Sequence, residues 1–313
     1  MKNVHLFISL ILMGTLLSSS SYAMEEKEEK KVVTPTVYKV NNPELFESEL
    51  CDLEARMKTL IPESIVRFTD YIDSGRLGVN KPKGWRHDLK TYFTIGLFHN
   101  GINEDYAKCL LKTYDLNIRP HGIEAVCAEN AAYKMSKILG LNRLVPPNYV
   151  AFNKAFSEQP TQSYSIQFLV EDNNSDNDNI ITNLEKLSLE DRSHLFLFRF
   201  CLGSVDHNNY NVLFHRVKGE IKPILIDFED IYNVKRREES KDIIKKWCKD
   251  KLFTNKSVNL YKNITIDQFK EGFSEGIKYA PHIYKDAFFT HLYTWKEDFL
   301  KWIEEENKII FPS

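Results

Sequence analysis

The chain has 313 residues, with 42 Lys and Arg against 44 Asp and Glu, and so a formal net charge of −2. That length suits one two-lobed domain or two small ones. Such balance gives no electrostatic reason to expect a nucleic-acid partner, and no global attraction to an anionic lipid surface.

The N-terminal 23 residues read as a secretory signal, with Lys2 as the positive region, Leu6–Leu17 as the apolar region and Ser21-Tyr22-Ala23 as the cleavage site. The apolar region, about twelve residues, is too short for a permanent membrane helix. No later stretch is apolar enough to cross a bilayer. The product is therefore expected to be exported, to the periplasm, the extracellular space or a host cell, with no transmembrane segment after cleavage. Residues 24–41, which include the charged run Glu25–Lys31, are expected to be a disordered linker. Asn42–Ser74 has helical spacing, with Leu45, Phe46, Leu50, Leu53, Met57, Leu60 and Ile61 recurring at threes and fours until Pro62 breaks it.

Alternating β-rich runs follow at Thr91–Phe98 and Tyr106–Tyr114, and Asn100-Gly101 between them predicts a hairpin. Residues 123–140 are predicted helical, with Gly140 as the C-cap and Pro146-Pro147 barring continuation. Tyr149–Phe152 and Tyr164–Val170 read as strands, and the Asp/Asn/Ser tract Glu171–Asn179 as a flexible connector. Ser188-Leu-Glu-Asp191 is a capping box with Asp in place of Glu. It opens a helix whose Leu195, Phe196, Phe198, Phe200 and Leu202 surround the axis, which places it in a core. From about Lys241 the pattern is helical to the end. The order of elements predicts an α+β fold in two lobes. Residues 42–171 form a β-rich N-lobe with a helical extension, 172–182 a connector, and 183–313 a mainly helical C-lobe.

The five cysteines, at 51, 109, 127, 201 and 248, contain no C-x-x-C pair and indicate no zinc site. Cys109, Cys127 and Cys201 lie in apolar runs and read as small buried hydrophobes.

The chemistry concentrates in Asp206-His-Asn-Asn-Tyr-Asn211-Val-Leu-Phe and Ile224-Leu-Ile-Asp227-Phe-Glu-Asp230. An acid and an amide five residues apart lead into one apolar strand, Val212–His215, and a second acid closes another, Pro223–Asp227. Asp–Asn pairs also occur in ordinary turns. The two strands and the closing Asp are what add weight. Phosphoryl transfer to a hydroxyl needs a carboxylate to orient the nucleophile, plus an amide and a second carboxylate to hold Mg²⁺.

Read with Glu129-Asn-Ala-Ala-Tyr-Lys-Met-Ser-Lys-Ile-Leu-Gly-Leu141 and Leu144-Val-Pro-Pro147, these motifs resemble atypical members of the protein-kinase-like superfamily. The resemblance is to the phosphatidylinositol 3-/4-kinase, HipA and secretory-pathway kinase branch. The Leu-Ile-Asp-Phe-Glu-Asp run is also similar to choline and aminoglycoside kinases. The similarity spans residues 70–300 in order, but only three short motifs are sharp.

The resemblance implies a two-lobed protein-kinase-like fold that uses ATP and Mg²⁺. Asp206 would orient and deprotonate the acceptor hydroxyl, and Asn211 and Asp227 would bind Mg²⁺. Lys112 would contact the nucleotide phosphates, paired with Glu129 or, as the competing choice, Glu124; Lys108 is a weaker candidate than Lys112. Gln167 and Leu169, in Gln167-Phe-Leu-Val170, would form the hinge that meets adenine. No G-x-G-x-x-G is present; Gly78–Gly84, with Lys81 or Lys83, and Gly96–Gly101 compete as the phosphate-covering loop. Glu229 and Asp230 stand where typical protein kinases have Phe-Gly, a departure that offers a further metal ligand. His207 reads as a loop-packing histidine. The expected function is an exported kinase acting on a hydroxyl of a protein or a phosphoinositide-like lipid. A pseudokinase, a small-molecule kinase of the choline or aminoglycoside type, and another ATP-dependent transferase are the alternatives.

Overall fold

Strand alternation and helix caps account for most of the architecture. The computed structural model describes residues 91–99, 106–117, 119–153, 162–168, 184–206, 211–217 and 220–310. The expected signal, linker, first helix, Gly78–Gly84 loop and interlobe connector lie outside these residues, as do Leu169 and His207.

Strands β1 (Thr91–His99) and β2 (Tyr106–Asp115) pair antiparallel from Thr91 opposite Tyr114 to His99 opposite Tyr106. Gly96 sits inside β1, opposite Cys109, and Asn100-Gly101 of the alternative loop lie outside the described residues. With β3 (Asn148–Asn153) and β4 (Gln162–Phe168) the strands form an antiparallel sheet of order β1-β2-β4-β3. Leu110, Lys112 and Tyr114 stand opposite Gln167, Ser165 and Ser163, so all six share one face.

That face is covered by α1 (Gly122–Ile138). The helix ends as its glycine predicts. Gly140 takes φ +71°, its N–H donates to the Lys137 carbonyl and the Leu141 N–H reaches Ser136, the two bonds of a Schellman motif. The other side of α1 packs on helices from the C-terminal part of the chain. The Tyr284 hydroxyl donates to the Glu124 carbonyl at 2.7 Å, and Lys134 pairs with Glu275 at 3.1 Å. The helix is thus held between sheet and bundle.

Helix α2 (Leu189–Cys201) begins at Ser188, whose Oγ accepts from the Asp191 N–H at 3.0 Å. Asp191 is a methylene shorter than the Glu of a full capping box. Its carboxylate returns to the Ser188 hydroxyl instead, at 2.6 Å. Residues 195–201 are all buried, as an axis surrounded by Leu and Phe requires. The helix ends in a second Schellman motif at Gly203 (φ +75°), which turns the chain toward Asp206.

Strands β5 (Val212–Val217) and β6 (Glu220–Leu225) form the expected hairpin, and the Leu225 N–H joins it to the Leu144 carbonyl. Six helices complete the fold: α3 (Val234–Glu239), α4 (Lys241–Trp247), α5 (Asn255–Lys262), α6 (Ile266–Gly272), α7 (Ser274–Tyr279) and α8 (Asp286–Glu305). The chain is not helical to its end. Phe253–Thr254 (β7) and Ile309–Ile310 (β8) pair in parallel. The core is aromatic: Phe273 packs against Tyr284, Phe288 and Phe289, and Phe200 against Trp247 and Phe299. Each such ring contributes about 1.5–3 kcal/mol by burial. Cys127, Cys201 and Cys248 are free thiols within it. The architecture is mixed helix and strand, α+β. Among the described residues no helix is long and apolar enough to cross a membrane.

Candidate active site

The covered face of the sheet meets the β5–β6 hairpin at Lys112. Alternation along β2 points this side chain toward α1, where its ammonium pairs with the Glu129 carboxylate, seventeen residues away in sequence. The same ammonium lies 3.0 Å from Asp227 Oδ1, just beyond β6. Lys112 and Glu129 are almost fully enclosed, with side chains 6% and 2% exposed, whereas Asp227 is 32% exposed. Glu124 turns elsewhere. Its Oε1 faces His282 Nε2 at 2.8 Å and His121 Nδ1 at 3.4 Å, so it does not compete for Lys112.

Burial alone would strip Lys112 of its charge, yet Asp227, Glu129 and Glu229 outweigh that and raise its pKa. Asp227 is likewise penalised by burial but held below the usual carboxylate range by Lys112, Arg199 and Arg119. Glu129 moves the other way. Burial lifts it to about 7 against the pull of Lys112, because nearby Asp227 adds to the negative charge. One ammonium therefore serves two carboxylates, and the buried one holds a proton more readily.

Asp206 and Asn211 flank residues 207–210, which lie outside the described residues. The Asn211 side-chain amide donates to Asp206 Oδ2 at 3.0 Å, which ties the two ends of the loop. The Ile226 N–H donates to the Asn211 carbonyl at 3.0 Å, so the residue before Asp227 is fixed to the loop's far end. Asp227 itself takes φ +64°, a left-handed conformation uncommon for a non-glycine residue. Such strain persists only where surrounding contacts enforce it.

The enforcing contacts come from residues with no motif. Arg199, in the last turn of α2, donates to three carbonyls: Asp206 at 2.7 Å, Asn211 at 3.1 Å and Ile226 at 2.9 Å. Burial lowers its pKa, resisted by Asp230, Asp206, Asp227 and Glu129. Its signal was present in the sequence as the one cation in the apolar run Leu195–Cys201 of that helix.

Asp230 was open as a metal ligand on the sequence reading; it is occupied otherwise. Its carboxylate accepts from the Ser204 hydroxyl and from the Val205 and Asp206 N–H groups at 2.8–3.0 Å. It anchors the entry to the loop. Glu229 accepts from the Tyr114 hydroxyl at 2.7 Å and from Arg119 at 2.9 Å, which binds the segment after Asp227 to the sheet. One oxygen each of Glu129, Asp227 and Glu229 lies within 4.8 Å of the others.

Gln167 does not fit its expected role. It lies inside β4 with Leu110 on one side and Asn148 on the other, so its backbone is part of the sheet rather than a free hinge. Any hinge begins after Phe168.

The partly exposed Asp227 carboxylate and the buried Asn211 amide both offer hard oxygen donors. Such groups suit Mg²⁺, which takes one or two protein ligands and keeps its waters. Comparison with protein-family models gives no match, and comparison with curated proteins gives none either.

Proposed function

We propose that this chain is an exported, ATP- and Mg²⁺-dependent kinase that transfers the γ-phosphate to a hydroxyl of a protein or lipid acceptor. Its fold would be the two-lobed, protein-kinase-like one, with the sheet in the smaller lobe. The observation that carries the reading is Lys112, bonded at once to Glu129 on α1 and to Asp227 beyond β6. Two of those residues are what a nucleotide triphosphate requires, a cation for its phosphates and a carboxylate for its metal. The third holds the cation in place.

Asn211 and Asp227 would hold Mg²⁺, which neutralises phosphate charge when bound. Asp206 would accept the proton of the acceptor hydroxyl as its oxygen bonds to the γ-phosphorus, while the bond to the β-phosphate oxygen breaks and ADP leaves. Its Oδ2 already holds the Asn211 amide, which fixes the carboxylate for that task. Positioning and charge stabilisation supply most of such a reaction. An exported enzyme would act where ATP is present, in a secretory lumen or after delivery to another cell.

The test is γ-labelled ATP with cell lysate, lipids and the protein itself, comparing wild type with Asp206→Asn. Transfer by wild type alone supports the proposal. Equal transfer by both proteins removes Asp206 from the reaction. Nucleotide binding without transfer by either would make the chain a pseudokinase, and an unlabelled product heavier by a nucleotidyl group, with the label released in pyrophosphate, would make it a different transferase.

A further inference from the structure

The kinase reading leaves unexplained a guanidinium that touches Asp206, Asn211 and the strand leading to Asp227. Arg199 is 2% exposed and reaches them from α2 through hydrogen bonds to backbone carbonyls. A buried cation bonded to backbone carbonyls is costly unless several good acceptors converge on it. Three do. Each belongs to a different stretch around the site: Asp206 enters the loop, Asn211 leaves it, and Ile226 precedes Asp227. The guanidinium is also stacked on Phe228, 4.9 Å from the ring centroid, and that ring is packed edge-on against Phe198. The fork can neither rotate nor withdraw without opening the core.

The opposite side of the same loop is fixed by complementary chemistry. Asp230 accepts from the N–H groups of Val205 and Asp206, so at Asp206 the carbonyl is held by a cation and the N–H by an anion. Backbone at that residue is gripped at both its polar groups, and the side chain is aimed accordingly. Ordinary α-helix or strand hydrogen bonding could not do this, because residues 204–206 lie in neither.

We infer that Arg199 is a positioning residue: a three-way clamp that sets the spacing of Asp206, Asn211 and Asp227, on which phosphoryl transfer would depend. The inference rests on the proposed kinase reading for its catalytic consequence, but not for its geometry. The bonds come from both ends of the planar fork, Nη1 to Asp206 and Nη2 to Asn211 and Ile226, a spread that a single ammonium nitrogen lacks. Lysine would keep the charge and lose the fork, and methionine would keep much of the volume and lose both.

Two measurements on Arg199→Lys and Arg199→Met separate the clamp from the reading it serves. The first is amide hydrogen exchange, which needs no activity. Exchange at Val205, Asp206 and Ile226 is expected to quicken at least ~10-fold in both variants, with the amides of α8 unchanged. The second is steady-state phosphotransfer. A displacement near 1 Å at reacting groups costs on the order of 100-fold, so kcat should fall ~100-fold in Arg199→Lys while KM for ATP stays within about threefold. Unchanged exchange at those three amides would overturn the clamp. So would full activity in Arg199→Lys, because charge alone would then suffice. If wild type transfers no phosphate, the kinase reading fails, and the exchange result still decides whether Arg199 holds the loop. If Arg199→Met does not fold, Arg199→Lys carries both tests.

Discussion

Lys112 and Glu129 form the most enclosed ion pair at the site, and their energetics can be worked from burial and partners. Lys112→Met leaves the Glu129 carboxylate 2% exposed with no cation beside it. Breaking a buried pair by removing one partner costs about 3–5 kcal/mol, most of it the penalty of the stranded charge. Asp227, 32% exposed, can turn to water and adds little to that cost. Glu129→Gln is milder. The amide oxygen can still accept from Lys112, and Asp227 remains 3.0 Å away, so we expect about 1–3 kcal/mol. In the double variant no charge is stranded on α1, and its loss should fall short of the sum by at least ~1.5 kcal/mol.

The assay is urea unfolding followed by tryptophan fluorescence at about pH 8, above the value near 7 to which burial lifts Glu129. The pH dependence adds a signed check. Glu129 has a folded pKa above its ordinary 4.5, so between the two the folded state holds a proton that the unfolded state has lost. Stability from this group therefore rises as pH falls from about 7 toward 4.5, and Lys112→Met should regain part of its loss at the acid end. Single losses that add to within ~0.5 kcal/mol of the double would refute the pairing as an energetic unit.

Four further outcomes test other parts of the site. Asp227→Ala should abolish the Mg²⁺-dependent thermal shift given by ATP, and an unchanged shift in a folded variant would remove Asp227 as a metal ligand. Asp206→Asn should lower turnover by orders of magnitude with Tm and ATP affinity nearly constant, since Asn keeps an oxygen but cannot take a proton. Gly140→Ala should cost about 1–2 kcal/mol for its positive φ alone, because open space surrounds a Cβ there. Gly203→Ala should cost distinctly more, because its Cβ would drive into the Arg237 guanidinium; equal losses for the two glycines would show that Arg237 is not packed on that turn.

The elements legible in the sequence were those that strong local physics dictates. Gly140 closes α1, Ser188 opens α2, alternation marks β1 and β2, and short apolar runs mark β5 and β6. The end of the chain was misjudged because β7 and β8 are two residues each and pair across more than fifty positions, which leaves no periodicity to detect. Gln167 was misassigned for a related reason. The end of an apolar strand and the start of a hinge look alike in sequence, and only the pairing with both Leu110 and Asn148 shows that β4 still has sheet on either side there.

At the site, the side chains that meet one another were legible, and those that meet backbone were not. Lys112 and Glu129 are complementary charges on elements that must pack, and Asp206, Asn211 and Asp227 carry a recognisable spacing. Asp230 has the same composition as a metal ligand, yet its partners are N–H groups of a turn some twenty-five residues upstream, and backbone donors leave no mark in a sequence. Arg199 left a fainter trace. An arginine in the buried run Leu195–Cys201 has to find acceptors inside the protein, and from the last turn of α2 the nearest segment is the one its own C-terminus delivers. That reasoning leads from Phe198-Arg199-Phe200 to the loop at Asp206 without any family motif. It also explains why Asp227 tolerates a left-handed backbone: the carbonyl just before it is held by the same guanidinium that holds the loop.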